Sequence, residues 1–115
     1  MQILCDMVGA NFRPQETKDI IKSLRVGDIL ILERDAENPY DHNAVKCVYN
    51  DEFLGFIPKT DNYEIAQALD VGEELTAEIV AFQNSLRPSL AIELPEENED
   101  AEEFEADIEQ LDDED

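Results

Sequence analysis

Glu33-Arg34-Asp35-Ala36-Glu37-Asn38-Pro39-Tyr40-Asp41-His42-Asn43-Ala44-Val45 is a polar loop that carries one aromatic and lies between two strand-like apolar runs. Pro39 fixes its own φ near about −65° and pushes Asn38 out of the helical region, so Tyr40 and Asp41 are presented on a stiff turn. Part of the ordering cost is met before any ligand arrives. The flanking runs decide the fold. Before the loop, Asp28 to Glu33 holds Ile29-Leu30-Ile31-Leu32, apolar on both faces, which predicts a strand inside a sheet or barrel rather than at its margin. After it, Ala44 to Tyr49 is β-rich, Asn50-Asp51 supplies a turn, and Phe53 to Ile57 completes a hairpin that Pro58 ends.

Toward the N-terminus, Gln2 to Val8 reads as a strand in which Ile3, Cys5 and Met7 alternate with Gln2, Leu4 and Asp6. Gly9 ends it. Phe12 and Arg13 sit in a short connection closed by Pro14, which leaves an aromatic and a cation near a strand end as a second place for a ligand. Glu16 to Arg25, with Ile20, Ile21 and Leu24 on one side, is a short amphipathic helix, and Gly27 stands where a left-handed C-terminal residue belongs.

Toward the C-terminus a second helix is expected from Asp61 to Leu69, capped by Thr60 or Asp61, with Ile65, Ala66 and Leu69 buried and Gly72 at its end. Its passage into the next strand repeats the helix-Gly-strand punctuation of residues 20–30. Leu75 to Phe82 alternates, placing Leu75, Ala77, Ile79 and Ala81 on one face and Thr76, Glu78, Val80 and Phe82 on the other. Ser89 to Leu94 is the last strand, after the Arg87-Pro88 turn. The sum is a mainly β fold with two short helices (α+β), its six short strands suited to a small closed or partly open β-barrel that hides its edges.

With 115 residues and 43 % apolar content the chain has material for one core, so one domain plus an appendage is expected. Residues 1–94 hold 8 Lys/Arg against 17 Asp/Glu, and residues 95–115 hold 13 Asp/Glu and no base. The domain is therefore expected over 1–94 and a flexible acidic tail over 95–115. Within that tail Phe104, Ile108 and Leu111 fall on one face of a potential helix that a basic protein partner would order. A merely solvating tail is the plainer alternative.

A net charge of −22 excludes loose, charge-driven attachment to DNA or anionic membrane, which depends on Lys and Arg. Met1 to Gly9 carries Asp6 and lacks a basic start and a long apolar run, and no apolar run reaches membrane-spanning length. A cytoplasmic protein with no membrane attachment is expected. Cys5 and Cys47, inside strands and without CxxC spacing, are expected as buried reduced thiols.

Catalysis would need an activated nucleophile, an acid/base pair or a metal cage. His42, the only histidine, has no companions at ligand spacing, and Gly9, Gly27, Gly55 and Gly72 are isolated, so no phosphate-binding glycine loop is present. The expectation is a protein that is no enzyme and has no cofactor and no metal; a hydrolase using Asp41 and His42 is the least favoured reading. Recognition fits better. Phe12 with Arg13, Asn38-Pro39-Tyr40-Asp41, and Gly55-Phe56-Ile57-Pro58-Lys59 each lie at a strand end, where a small barrel places loops that converge. Aromatics there can stack on unpaired bases for about 1–3 kcal/mol each, while Arg13 and Lys59 meet phosphates. Asp41 suits a sugar hydroxyl and repels a phosphate, which favours a free strand terminus. The same residue types also have an ordinary use: Tyr40 packing on the barrel, and Asp41 and Asn43 bonding turn amides.

Val8-Gly9 followed by Phe12, the Leu24-x-x-Gly27-Asp28-x-Leu30-x-Leu32-x-Arg34-Asp35 run, Asn38-Pro39-Tyr40-Asp41-x-Asn43-Ala44-Val45 and Leu54-Gly55-Phe56-Ile57-Pro58 together resemble a HIRAN domain over about residues 7 to 94. The resemblance implies an OB-like barrel. It further implies a module without a motor that binds single-stranded DNA, some members at the 3′ end, in DNA repair, replication or mobile elements. By that likeness Phe12 and Tyr40 would stack, Asp41 would accept the terminal 3′-hydroxyl, and Asn38 would support the loop or contact the end nucleotide. Lys59 would meet a phosphate and Phe82 would close the pocket. The rival expectation is a protein-interaction or DNA-mimic regulator acting through its acidic surface and tail.

Overall fold

Strand β2 (Ile29–Arg34) is flanked on both sides in a single antiparallel sheet, between β5 (Thr76–Asn84) and β3 (Val45–Tyr49). With β1 (Gln2–Asp6), β4 (Glu52–Phe56) and β6 (Arg87–Glu93) the order is β1-β6-β5-β2-β3-β4. This computed structural model describes residues 1–95, so the tail and its proposed partner face at Phe104, Ile108 and Leu111 lie outside the described residues. Helices α1 (Gln15–Ser23) and α2 (Tyr63–Asp70) and one 3-10 turn at Ala10–Phe12 complete the set. The interior position of β2 is as the sequence implies, and its two apolar faces are unequally buried. Leu30 and Leu32 are buried, whereas Ile29 and Ile31 are 48 % and 53 % exposed. Ile21 and Leu24 join the same inner core as Ile65 and Ala66 of α2, so both helices serve the inner face and the outer face of β2 meets solvent.

The two edge strands meet. Val8, just beyond β1, exchanges both backbone bonds with Phe56 of β4, at 2.9 and 2.8 Å, while the Met7 N–H donates to the Pro88 carbonyl at 2.9 Å. The curled sheet thereby closes into a partly open barrel, with Met7 wholly buried at the seam. Gly55 is required there: a Cβ on it would lie 2.6 Å from the Val8 carbonyl oxygen and 3.1 Å from the Met7 side chain.

Alternation fails where strands bulge. The β3–β4 register shifts between Cys47 and Val48, so Leu54 and Gly55 are both buried and Phe53 and Phe56, three residues apart, face the same way. In β5 the register shifts between Ile79 and Ala81; Ala81 turns outward and Phe82 turns to pack against the core, the reverse of strict alternation. The Asn50-Asp51 turn has both central residues at positive φ, 50° and 67°, the twist a tight hairpin needs. Gly27 and Gly72 share φ +99°, so the repeated punctuation is the same backbone device used twice.

Asn62, not Thr60 or Asp61, precedes α2, and its side chain makes no capping bond because it is turned toward the central loop. Both thiols are free, Cys47 buried and Cys5 half-buried. Burial pushes the Cys5 thiol up to about 12, helped by Asp61 and Asp6, and raises Cys47 as well.

Candidate nucleic-acid interface

The central loop is held by its own polar groups. The Asp35 N–H donates to the Ala44 carbonyl at 2.9 Å and closes the neck. Asn38 bonds Asp35 through both its backbone N–H and its side-chain amide, at 3.1 Å each, and its own Oδ1 accepts from the Tyr40 N–H at 2.8 Å. Arg34 at the end of β2 clamps the far limb, its two terminal nitrogens donating to the Ala44 and His42 carbonyls at 2.8 and 2.9 Å while Nε bridges to Asp70 at 2.8 Å. Local polar side chains have replaced water as partners for the turn's backbone, which keeps an exposed loop in one shape.

Asp41 is the hinge between loop and helix. Its Oδ1 accepts from the Asn43 N–H at 2.9 Å, and its Oδ2 from the Asn62 side-chain amide at 2.8 Å. Asn62 is buried at 1 % exposure, so that amide depends on the carboxylate. Partial burial alone would raise the Asp41 pKa, but the two hydrogen bonds, with Lys59 and Arg34 nearby, hold it below the usual carboxylate value. The Lys59 ammonium donates to the Tyr40 carbonyl at 3.3 Å, and the Tyr40 side chain is 86 % exposed. Asn38, Tyr40, Asp41 and Lys59 are thus brought together. Tyr40 does not pack on the barrel, whereas the turn-amide role of Asp41 is present alongside whatever else it does.

Phe12, Arg13 and Phe56 form a second group. Phe12, at the end of the 3-10 turn, is 89 % exposed. Arg13 donates through Nε to the Phe53 carbonyl at 3.1 Å and lays its guanidinium 4.1 Å from the Phe53 ring centre. Phe56 meets the same ring edge-on at 5.1 Å. No contact among the described side chains ties this group to Tyr40; the backbone does so, since Phe56 pairs with Val8 and Lys59 follows Phe56 by three residues. Phe82 is half-buried and packs on the core.

Hollows of about 160 Å³ beside Val8, Asn11 and Leu86 and of about 570 Å³ beside Leu4, Val8, Pro58 and Asp61 lie among the described residues. Neither is lined by any of the candidate residues. The candidate surface is an open face, which suits an extended polymer better than an enclosed small molecule. Among the described residues no group of three or more His, Cys, Asp or Glu is placed to hold a metal, and no helix is long and apolar enough to cross a membrane. Sequence reasoning missed Asn62, Arg34, Lys46 and Phe53. The Arg34-Asp35 dipeptide directly before the loop was a usable signal; Asn62 carried none, because its partner is 21 residues away.

A small antiparallel barrel presenting a rigid polar loop and exposed aromatics defines a recognition module. The sequence model of the HIRAN domain family matches residues 3–97, and the chain belongs to that family. No match is found among curated proteins. Among solved structures, a protein from Lactobacillus plantarum is similar with a TM-score of 0.69 at 22 % identity, covering 80 % of this chain and 95 % of that one. The HIRAN domain of human HLTF is similar with a TM-score of 0.65 at 20 % identity, covering 79 % and 72 %. At these identities the likeness is one of fold, and it agrees with the OB-like barrel expected from the sequence. The HIRAN domain is a DNA-binding module, so the fold here is a DNA-binding one.

Proposed function

We propose that this protein binds single-stranded DNA at its 3′-hydroxyl end, as a binding module rather than an enzyme, in cytoplasmic DNA repair, replication or mobile-element transactions. The observation that carries the reading is the pairing of a Tyr40 ring 86 % exposed with an Asp41 carboxylate already fixed by two hydrogen bonds. Tyr40 stacks on the terminal base. Each carboxylate oxygen has two lone pairs and uses one here, so Asp41 keeps acceptor capacity for a sugar hydroxyl without moving. A terminal phosphate in that place meets like charge. Lys59, held beside Tyr40 by its carbonyl, meets the preceding phosphate, and Asn38 keeps the turn in shape. Because residues 1–94 carry 17 acidic against 8 basic groups, stacking supplies more of the affinity than phosphate attraction.

Titration of a labelled single-stranded oligonucleotide, followed by fluorescence anisotropy, tests this. Tyr40→Ala should weaken binding by about 5- to 150-fold, the equivalent of one lost stack of about 1–3 kcal/mol. Unchanged affinity contradicts the proposal, and metal-dependent cleavage of the oligonucleotide contradicts its non-enzymatic part. The second reading is a regulator that engages a basic protein through its acidic residues, favoured by 13 Asp/Glu with no Lys or Arg in residues 95–115. Loss of that partner on deletion of those residues would support it.

A further inference from the structure

The outer face of the β3–β4 hairpin carries an arrangement that the Tyr40 corner does not use. Lys46 points outward from β3, directly opposite Glu33 on β2 and Phe56 on β4. A cross-strand carboxylate is available to it, yet among the described residues Lys46 forms no ion pair within 4 Å and instead holds its ammonium 5.4 Å from the centre of the Phe53 ring. The Arg13 guanidinium lies 4.1 Å from the same centre. Among the described residues Arg13 also has no carboxylate partner, and its two terminal nitrogens make no hydrogen bond, Nε alone being spent on the Phe53 carbonyl. In a chain with 30 acidic and 8 basic residues, two cations share one ring and no carboxylate among the described residues pairs with either. The pair repels itself, and the cation–π contacts orient the charges without cancelling them.

The β-bulge makes this face possible. Strict alternation would send Phe53 and Phe56 to opposite sides; the register shift at Cys47/Val48 puts both rings outward in contact at 5.1 Å. The result is a strip of half-buried residues, Arg13, Phe53, Lys46 and Phe56, that leads along β4 toward the exposed Lys59 and Tyr40. Phe53 to Lys59 is six residues of backbone, about 20 Å at roughly 3.3 Å per residue, enough for a few nucleotides. Rings and cations alternate along it as bases and phosphates alternate along a single strand.

We propose that Arg13 and Lys46, seated on Phe53, form a second phosphate subsite that leads a bound strand away from its end along the outer face of β3–β4. This rests on the reading of Tyr40 and Asp41 as the end-binding corner. The fork of Arg13 meets a phosphodiester with its two unused terminal nitrogens, Lys46 adds a point charge beside it, and Phe12, 89 % exposed next to Arg13, stacks on an internal base. The test uses the full chain and two labelled oligothymidylates ending in a 3′-hydroxyl, about 3 and about 12 nucleotides long, bracketing the site sizes of such barrels. Lys46→Gln should weaken the long strand by about 5-fold, lower the slope of log affinity against log salt by about 0.7, and leave the short strand unchanged. Lys46→Arg should restore both. Tyr40→Ala should weaken both strands. Loss with Tyr40→Ala but none with Lys46→Gln on the long strand overturns the subsite alone; no loss with either variant overturns the end-binding reading and this one with it. Tighter binding by Lys46→Gln would assign the cations to the chain's own acidic residues and overturn the subsite.

Discussion

At the residue scale Asp41 has one structural duty, seen in its hydrogen bonds, and one proposed duty, reading the strand end. Its carboxylate is the recorded partner of the Asn62 amide, a group 1 % exposed, so Asp41→Ala strands a buried donor and should cost about 1–3 kcal/mol in urea unfolding at neutral pH. On the proposed reading, removing Asp41 should cost stability as well as end preference. The pH dependence follows from its lowered pKa. The folded carboxyl titrates below the unfolded value of 3.8, so its stabilisation is present above that value and is lost as pH falls through the folded pKa. The gap between wild type and Asp41→Ala should therefore hold steady at higher pH and begin to narrow once pH falls below 3.8; a gap that does not narrow at all in acid contradicts the assignment. Residue types alone permitted both duties for Asp41. They did not reveal Asn62, because a contact spanning 21 residues leaves no local pattern, nor Lys46, whose nearest partner in register is an acid that it ignores.

At the scale of elements, the hairpin β3–β4 carries both the barrel seam and the proposed strand path. Gly55→Ala places a methyl 2.6 Å from the Val8 carbonyl oxygen, so the seam must open or β4 must shift. A loss of about 1–3 kcal/mol, typical of overpacking, is expected by urea unfolding, with a matching loss of single-strand affinity because Phe56 and Lys59 move with β4. Unchanged stability would mean that the seam does not close the barrel. The six strands and two helices were legible from alternation, apolar spacing and turn residues. What alternation cannot carry is a bulge, since one inserted residue exchanges the faces beyond it; hence Phe82 was read as outward and Phe53 drew no notice. The four-residue apolar run of β2 placed it inside the sheet, where it lies, but sequence does not say that both helices pack on one side and leave Ile29 and Ile31 exposed.

Charge dominates at the scale of the whole molecule. The family was legible because its motif is local: the Asn38-Pro39-Tyr40-Asp41 loop and the flanking Gly27-Asp28 and Gly55-Phe56-Ile57-Pro58 segments are each short and continuous. Ligand affinity is not local, for it depends on a net −22 of which residues 95–115 supply −13. Deleting residues 96–115 leaves −9 and should raise single-strand affinity at low salt, the gain fading above about 0.5 M as screening shortens to a few ångströms. A gain that persists at high salt would point instead to direct coverage of the interface. The end-binding claim itself is tested most directly by anisotropy with two otherwise identical 5′-labelled single strands, one ending in a 3′-hydroxyl and one in a 3′-phosphate. Tighter binding of the 3′-hydroxyl strand is expected, about 10-fold for one charge-assisted hydrogen bond, with the preference abolished in Asp41→Ala. Equal affinity for the two ends, or a preference that survives Asp41→Ala, would contradict it.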